Sequence, residues 1–519
     1  MAGGSLTTLS ATRLAQLIAQ RELSAVELVD AHLERIEAVN RTLNAFVFVD
    51  REGARRQARA ADAAVRRGDA LGPLHGVPLS IKSSVAVAGM PWETGSPFRR
   101  GVTGDHDAPL VGRVRQAGAI ILGVTNVAEQ LMAWETDNAL YGRTNNPWDV
   151  TRTPGGSSGG ESAAIAAGLS AGGVGSDGGG SIRIPAHFTG IVGLKPTPGR
   201  VPATGHFPPC GGPFALTGVV GPMARTVDDV ALLLSVMAGP DIGDPNGHPV
   251  PLGGEHEKGG GRLAAGGGGW AADGGGRAAG GGRRAAGEHV GQGFSPADGR
   301  PRTGWFSDDG RTPVEPAISD AVRRAAAALS AAGFEAVPFH PEGLDEAREL
   351  WWDIFGRASR LLLEPLVAGR EAEVHANLPQ FLAWTRQMPK ITAERLLEVE
   401  IRRDLLRTRI LQQMQDFPVL LCPVSAVTAF RHGERTWPIA GRDVDYLDAW
   451  SYAAWFNLLQ NPAVSVPAGL TPDGLPVGVQ VVARHWEEMT ALAVAREIER
   501  ALGGYVAPGV DGLAAVRRD

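Results

Sequence analysis

The sequence predicts an α/β fold built on a largely parallel or mixed sheet. Short apolar runs of strand length alternate with helical periodicities along most of the chain. A length of 519 residues at 43% hydrophobic content is also ample for a large buried core.

The elements follow in order. Ser24 with Glu27 forms a capping-box signature, and Val29, Leu33 and Ile36 then recur at helical spacing. An Ala/Arg-rich helix is expected over Arg51–Arg67, mostly facing solvent. Turn residues Gly72, Pro73, Gly76 and Pro78 lead into a short alternating segment. There Leu79 and Ile81 share one face, while Ser80 and Lys82 share the other. Residues 107–117 read as a helix with Pro109 in its first turn, and 119–124 as a buried strand. Thr226 with Asp229 caps a helix through Met237. Further helices are expected over 317–332, 392–415 and 487–501, and strands over 419–423, 463–466 and 477–482.

One stretch breaks the pattern. Residues 253–299 are mostly Gly, Ala and Arg without apolar periodicity. Such a segment cannot bury enough surface to offset its ordering entropy, so a disordered low-complexity insertion is predicted. Gly, Ala and Arg all have GC-rich codons, so a displaced reading frame in a GC-rich gene would leave the same composition. Resequencing the gene distinguishes the two.

Net charge is −6, which gives no global attraction to nucleic acid. Cys210 and Cys422 form no CxxC pair and no disulfide framework. The N-terminus lacks the basic-then-apolar pattern of a signal peptide, and no apolar run approaches the roughly 20 residues that span a bilayer. A soluble cytoplasmic protein is expected.

The chemistry concentrates in residues 153–185, where Ser157, Ser158 and Ser181 lie among clustered glycines. Glycine lets backbone N–H groups turn toward a ligand, and a serine oxygen beside such donors can attack a carbonyl and hold the oxyanion. Four readings compete. One is a loop that merely turns tightly. Gly173, Gly175 and Gly178 satisfy GxGxxG, a glycine-rich nucleotide-binding pattern, but no acidic ribose ligand follows about 20 residues on. Gly155–Gly159 satisfies the GxSxG nucleophile elbow of a Ser-His-Asp α/β-hydrolase, yet the segment before it reads as loop. The downstream histidines His340, His375, His432 and His485 sit in no distinctive context, and His187 could tempt a Ser–His pairing.

The fourth reading uses both clusters and Lys82. The motifs are GVPLSIK (76–82), NPWDVTRTPGGSSGGESAA (146–164), GSDGGGSIRIPA (175–186), GLKPTPGRVP (193–202), GPMARTVDD (221–229) and GLPVGVQVV (474–482). In length and order they closely resemble the amidase signature family. That resemblance implies one large domain over 1–519, with a central mixed sheet flanked by helices. It implies a Ser–cis-Ser–Lys triad of Ser181 as nucleophile, Ser157 as bridging serine and Lys82 as base, the two serines standing 24 positions apart. Lysine can serve as a base only when neutral, and burial lowers its pKa from about 10.4 toward that state. The backbone of Gly178, Gly179, Gly180 and Ser181 would form the oxyanion hole. Ser158, Asp177 and Arg183 are supporting candidates, Arg183 either in the active site or in an ion pair with Asp177.

The family often places an acid after the lysine, whereas Ser83 stands here. Met132 and Trp134 are candidate pocket residues. Trp351, Trp352, Trp455 and Phe456 are candidates too, although aromatic residues in helices more often belong to the core. The expected activity is amide hydrolysis of a small-molecule substrate through a seryl acyl-enzyme, without metal or organic cofactor. The alternative within the family is the glutaminase-type A subunit of a tRNA-dependent amidotransferase, which would need partner subunits. Several members of that family pair as homodimers, and the sequence does not report an oligomeric state.

Overall fold

The computed structural model describes residues 6–252 and 300–509, so the insertion expected at 253–299 lies outside the described residues. The strands, in chain order, begin with β1 (Phe46–Val49), β2 (Pro78–Lys82), β3 (Ile120–Thr125), β4 (Gly172–Asp177), β5 (Val192–Lys195) and β6 (Val219–Ala224). They continue with β7 (Thr303–Trp305), β8 (Ala336–Pro338), β9 (Val419–Pro423), β10 (Thr436–Ile439), β11 (Arg442–Asp445), β12 (Ala463–Leu470) and β13 (Pro476–Ala483). Eleven of them form one mixed sheet in the order β1-β3-β2-β4-β6-β5-β12-β13-β9-β7-β8, and β10 with β11 makes a separate hairpin. β2 runs parallel to both β3 and β4, and β7 parallel to β8 and β9; the other neighbours are antiparallel. Among the described residues, no helix is long and apolar enough to cross a membrane.

All five residues of β2 are buried, because helices cover both faces of the sheet there. The alternation read from the sequence therefore separates an apolar interior from a polar interior, and Lys82 points into the second. β4 is a strand that the sequence conceals as a glycine run. Its glycines are required by close approach: a Cβ on Gly173 would stand 1.9 Å from Glu161 Oε1, on the helix Gly159–Ala166 packed against it.

The expected boundaries shift modestly. The helix read over 107–117 is Pro109–Gln116, and the strand read over 463–466 runs on to Leu470. A helical stretch from Leu344 through a π-helical turn at Trp352–Arg357 to Val367 was not read from the sequence. Thr226 Oγ1 accepts from the Asp229 amide, as its capping role requires. The Asp229 carboxylate reaches elsewhere, accepting from the amides of Ala11 (2.9 Å) and Thr12 (2.8 Å) at the start of the helix Ala11–Ala19.

Asp229 thus ties the N-terminal helix to the sheet-covering helix Val227–Met237. Asp229→Ala is expected to lower stability by about 1–3 kcal/mol, read as a lower urea midpoint with an unchanged m-value. An unshifted midpoint would contradict that tie.

Candidate active site

Lys82 ends β2, opposite Thr125 of β3 in parallel register, and is fully buried. Its Nζ lies within hydrogen-bonding reach of three groups: Ser157 Oγ at 2.8 Å, Ser176 Oγ at 2.9 Å and the Ser176 carbonyl at 3.3 Å. Burial brings its pKa from 10.5 down to about 7, opposed by the charges of Asp177 and Glu161. The structure thus supplies acidic neighbours from β4 and from the helix Gly159–Ala166 that precedes it, not from position 83. Ser83 is buried and its hydroxyl has no hydrogen-bond partner among the described residues.

Below Lys82 lies a polar cluster that sequence reasoning missed. Glu161 is buried, accepting from Ser80 Oγ (2.5 Å) and Thr125 Oγ1 (2.7 Å), with Ser170 Oγ 2.9 Å from Ser80 Oγ. Burial pushes its carboxyl up to about 7, against the hydrogen bonds from Ser80 and Thr125 and the charge of Lys82. The visible signal was Ser80 on the same strand face as Lys82, which demanded a polar partner.

The peptide bond between Gly156 and Ser157 is cis. Ser158 joins the two glycine–serine clusters. Its amide donates to the Ser181 carbonyl (3.2 Å) and its hydroxyl to the Ser176 carbonyl (3.2 Å). Ser181 is 9% exposed and borders the same cavity as Ser157. No hydrogen bond from Ser181 Oγ is formed among the described residues, so the Lys82–Ser157 link is in place and the Ser157–Ser181 link is not.

Asp177 and Arg183 form a two-pronged pair, Nε to Oδ2 and a terminal nitrogen to Oδ1, both at 3.0 Å and both fully buried. Gln480 and Asn457 accept two of the three remaining guanidinium hydrogens, at 3.0 and 2.6 Å. Burial alone would raise the Asp177 carboxyl, but the Arg183 guanidinium, Asn457 and the Gly180 amide hold it well below the usual carboxylate range. Arg183 does not border the cavity, so of its two expected roles the ion pair is the one observed.

That pair corrects one expectation. Gly180 N–H donates to Asp177 Oδ1 at 2.7 Å, so it is already committed and cannot serve an oxyanion. The amides of Gly178, Gly179 and Ser181 have no acceptor among the described residues. Two indoles orient this loop: Trp351 Nε1 donates to the Gly178 carbonyl (3.0 Å) and Trp134 Nε1 to the Gly179 carbonyl (2.8 Å). Because a trans peptide is planar, each carbonyl held one way turns the next N–H the other way.

A cavity of about 290 Å³ opens over Ser157 and Ser181. Its walls are mainly apolar, with Met132, Phe207, Phe214, Phe355, Leu363 and Leu366 prominent. Asp177 is the one carboxylate in the lining, and no Lys or Arg borders it among the described residues. Met132 borders this cavity, whereas Trp134 walls a smaller neighbouring compartment beside Ser181. Trp352, Trp455 and Phe456 are core residues. The segment 206–210 and the helix Ala358–Val367, both lining the cavity, carried no sequence signal.

The rival motifs fail on structure. Gly173 and Gly175 sit inside β4 and not in a strand-to-helix turn, and no strand leads directly into Gly155. His187 is buried, accepting at Nδ1 from the Gly478 amide (2.7 Å) with Nε2 near the Val427 carbonyl (3.3 Å). Burial lowers its pKa to about 4. Among the described residues, no group of three or more His, Cys, Asp or Glu side chains could hold a metal ion.

The Amidase family model matches residues 27–265 and 281–492. The chain is 34% identical over 511 residues to an acylamidase of Rhodococcus erythropolis, covering 95% of this chain and 96% of that protein. It is also 34% identical over 551 residues to the A subunit of the glutamyl-tRNA(Gln) amidotransferase of Salinispora arenicola (strain CNS-205), covering 97% and 99%. Among solved structures, 6-aminohexanoate cyclic dimer hydrolase superposes with a TM-score of 0.80 at 28% identity, over 98% of this chain and 100% of that one. The chain belongs to the amidase signature family. It is a hydrolase acting on a carbon–nitrogen amide bond.

Breaking the buried ion pair from one side leaves an uncompensated charge beneath the glycine loop. Arg183→Met is expected to lower stability by about 3–5 kcal/mol, measured by urea denaturation. A loss under about 1 kcal/mol would show that the pair is dispensable.

Proposed function

We propose that the protein hydrolyses a neutral carboxylic amide to an acid and an amine or ammonia, through an acyl-enzyme on Ser181. The observation that carries this reading is the Lys82 amine, buried and 2.8 Å from Ser157 Oγ, with no carboxylate among its hydrogen-bond partners in the described residues. A neutral amine has two N–H groups and one lone pair. The two N–H groups match the hydroxyl and carbonyl of Ser176, which leaves the lone pair for the Ser157 proton.

Ser157, having given up that proton, takes one from Ser181 as Ser181 Oγ attacks the amide carbon. The amides of Gly178, Gly179 and Ser181 receive the oxyanion. Ser157 then passes a proton to the leaving nitrogen, and the same relay activates the water that releases the acid. Asp177 and Arg183 act beneath the loop by holding its shape.

Likeness to amidotransferase A subunits favours a second reading, glutaminase activity within a larger assembly. Glutamine carries a carboxylate and an ammonium, and the cavity offers no cationic side chain to the former among the described residues. The purified single chain is therefore expected to cleave neutral amides without partners. Glutamine turnover exceeding that of apolar amides would reverse the choice.

Lys82 must be neutral to act, and its pKa is lowered to about 7. Protons compete with the relay below that point, so kcat/KM is expected to rise about tenfold per pH unit there and flatten about a unit above. A flat or acid-favouring profile would contradict the assignment. Ser181→Ala and Lys82→Ala are each expected to cut kcat/KM by roughly a thousandfold or more, while folded His187→Ala retains substantial turnover. The opposite ranking would overturn the triad.

A further inference from the structure

We propose that the site divides its substrate unequally, limiting the acyl group to one or two carbons beyond the carbonyl and giving the bulk to the leaving amine. The inference rests on Ser181 being the nucleophile, as proposed above. Two compartments meet at Ser181. The larger, about 290 Å³, borders Ser157 as well. The smaller, about 20 Å³, is walled by Trp134, Trp351, Phe355 and Phe381, and it borders Gly179 but not Ser157. Since roughly 10–15 Å³ admits one water-sized group, the smaller compartment has room for one or two heavy atoms.

The tetrahedral intermediate fixes which part goes where. Its carbon bears four substituents, and three of them have assigned directions. One is Ser181 Oγ. The oxyanion faces the amides of Gly178, Gly179 and Ser181, the Gly179 N–H being turned away from Trp351 by the Trp351–Gly178 hydrogen bond. The leaving nitrogen faces Ser157, its proton donor, and so lies in the larger compartment. The direction that remains leads into the tryptophan-walled compartment, and the acyl substituent takes it.

Those walls are fixed. Each indole is tied to a carbonyl of the glycine loop. Trp351 stacks on Phe355 with centroids 4.7 Å apart, and Trp134 on Trp450 at 5.5 Å. A Cβ on Gly179 would come within 2.5 Å of Trp351 Cζ2, so loop and wall are already in contact. Gln130 and Leu131, at φ of 50° and 65°, hold the left-handed backbone region, which turns the chain sharply just before Met132. Leu131 and Met132 border both compartments.

For acetanilide, Ser181 Oγ bonds to the acetyl carbon as the C–N bond breaks. The Ser181 proton reaches nitrogen through Ser157, and aniline departs through the larger compartment. Water then adds to the acetyl ester, releasing acetate and restoring the Ser181 hydroxyl.

The test compares kcat/KM for acetanilide, N-phenylhexanamide and benzamide on the full chain. Acetanilide is expected to exceed each of the others by at least about tenfold, the discrimination available when a carbon does not fit. Phe381→Ala widens the small compartment from the helix Asn377–Gln387 and is expected to raise N-phenylhexanamide at least about tenfold relative to acetanilide. Trp134→Phe provides the same readout where Phe381→Ala does not fold. Wild-type preference for benzamide or N-phenylhexanamide, or an unaltered acyl preference in folded variants, overturns the division. So does failure to cleave any of the three while a fluorophosphonate still labels Ser181. Loss of that labelling together with all turnover would instead remove the mechanism beneath it.

Discussion

The hydrogen bond between Lys82 and Ser157 is the interaction on which the site depends, and it depends in turn on where β2 lies. A lysine at the end of an edge strand would be solvated and charged. Placed between β3 and β4 with helices over both faces, Lys82 is fully buried, and desolvation drives its amine toward the neutral form. The surroundings do not restore the charge fully. Glu161 is itself pushed toward its protonated form by burial, and the Asp177 charge is taken up by Arg183.

The glycine loop after β4 is shaped from both sides. Asp177 draws in the Gly180 amide from below, while Trp134 and Trp351 hold the Gly179 and Gly178 carbonyls from the aromatic side. Between these restraints the amides of Gly178, Gly179 and Ser181 are left without acceptors among the described residues. Preorganised donors of this kind stabilise developing charge without reorganising when it appears. The wall that orients the loop also bounds the smaller compartment, so the proposed catalysis and the proposed acyl selection rest on the same residues.

Much of this was legible in the sequence, for identifiable reasons. The alternation at 79–82 placed Lys82 on a buried polar face because strand side chains alternate strictly. The caps at Ser24 and Thr226 were legible because capping is local, and the glycine–serine clusters because their spacing is. The concealed parts depend on distant contacts. β4 is half glycine, a residue of low strand propensity, and Gly173 is needed there because Glu161 fills the space a Cβ would take. The engagement of the Gly180 amide, expected from the sequence to be an oxyanion donor, follows from Asp177 folding back on its own loop. Trp351 lies 173 positions from the carbonyl it holds, and no local pattern announces such a contact. Ser176 stood inside a motif read for its glycines, and its side chain proved to be a partner of Lys82.

The most direct test is the titration of Lys82 itself. The chain has four lysines, Lys82, Lys195, Lys258 and Lys390, so ¹⁵N-lysine labelling gives few side-chain resonances, and Lys82→Met assigns the one that matters. The account requires the Lys82 Nζ resonance to pass from ammonium to amine near pH 7. An ammonium signal persisting to about pH 10 would contradict it.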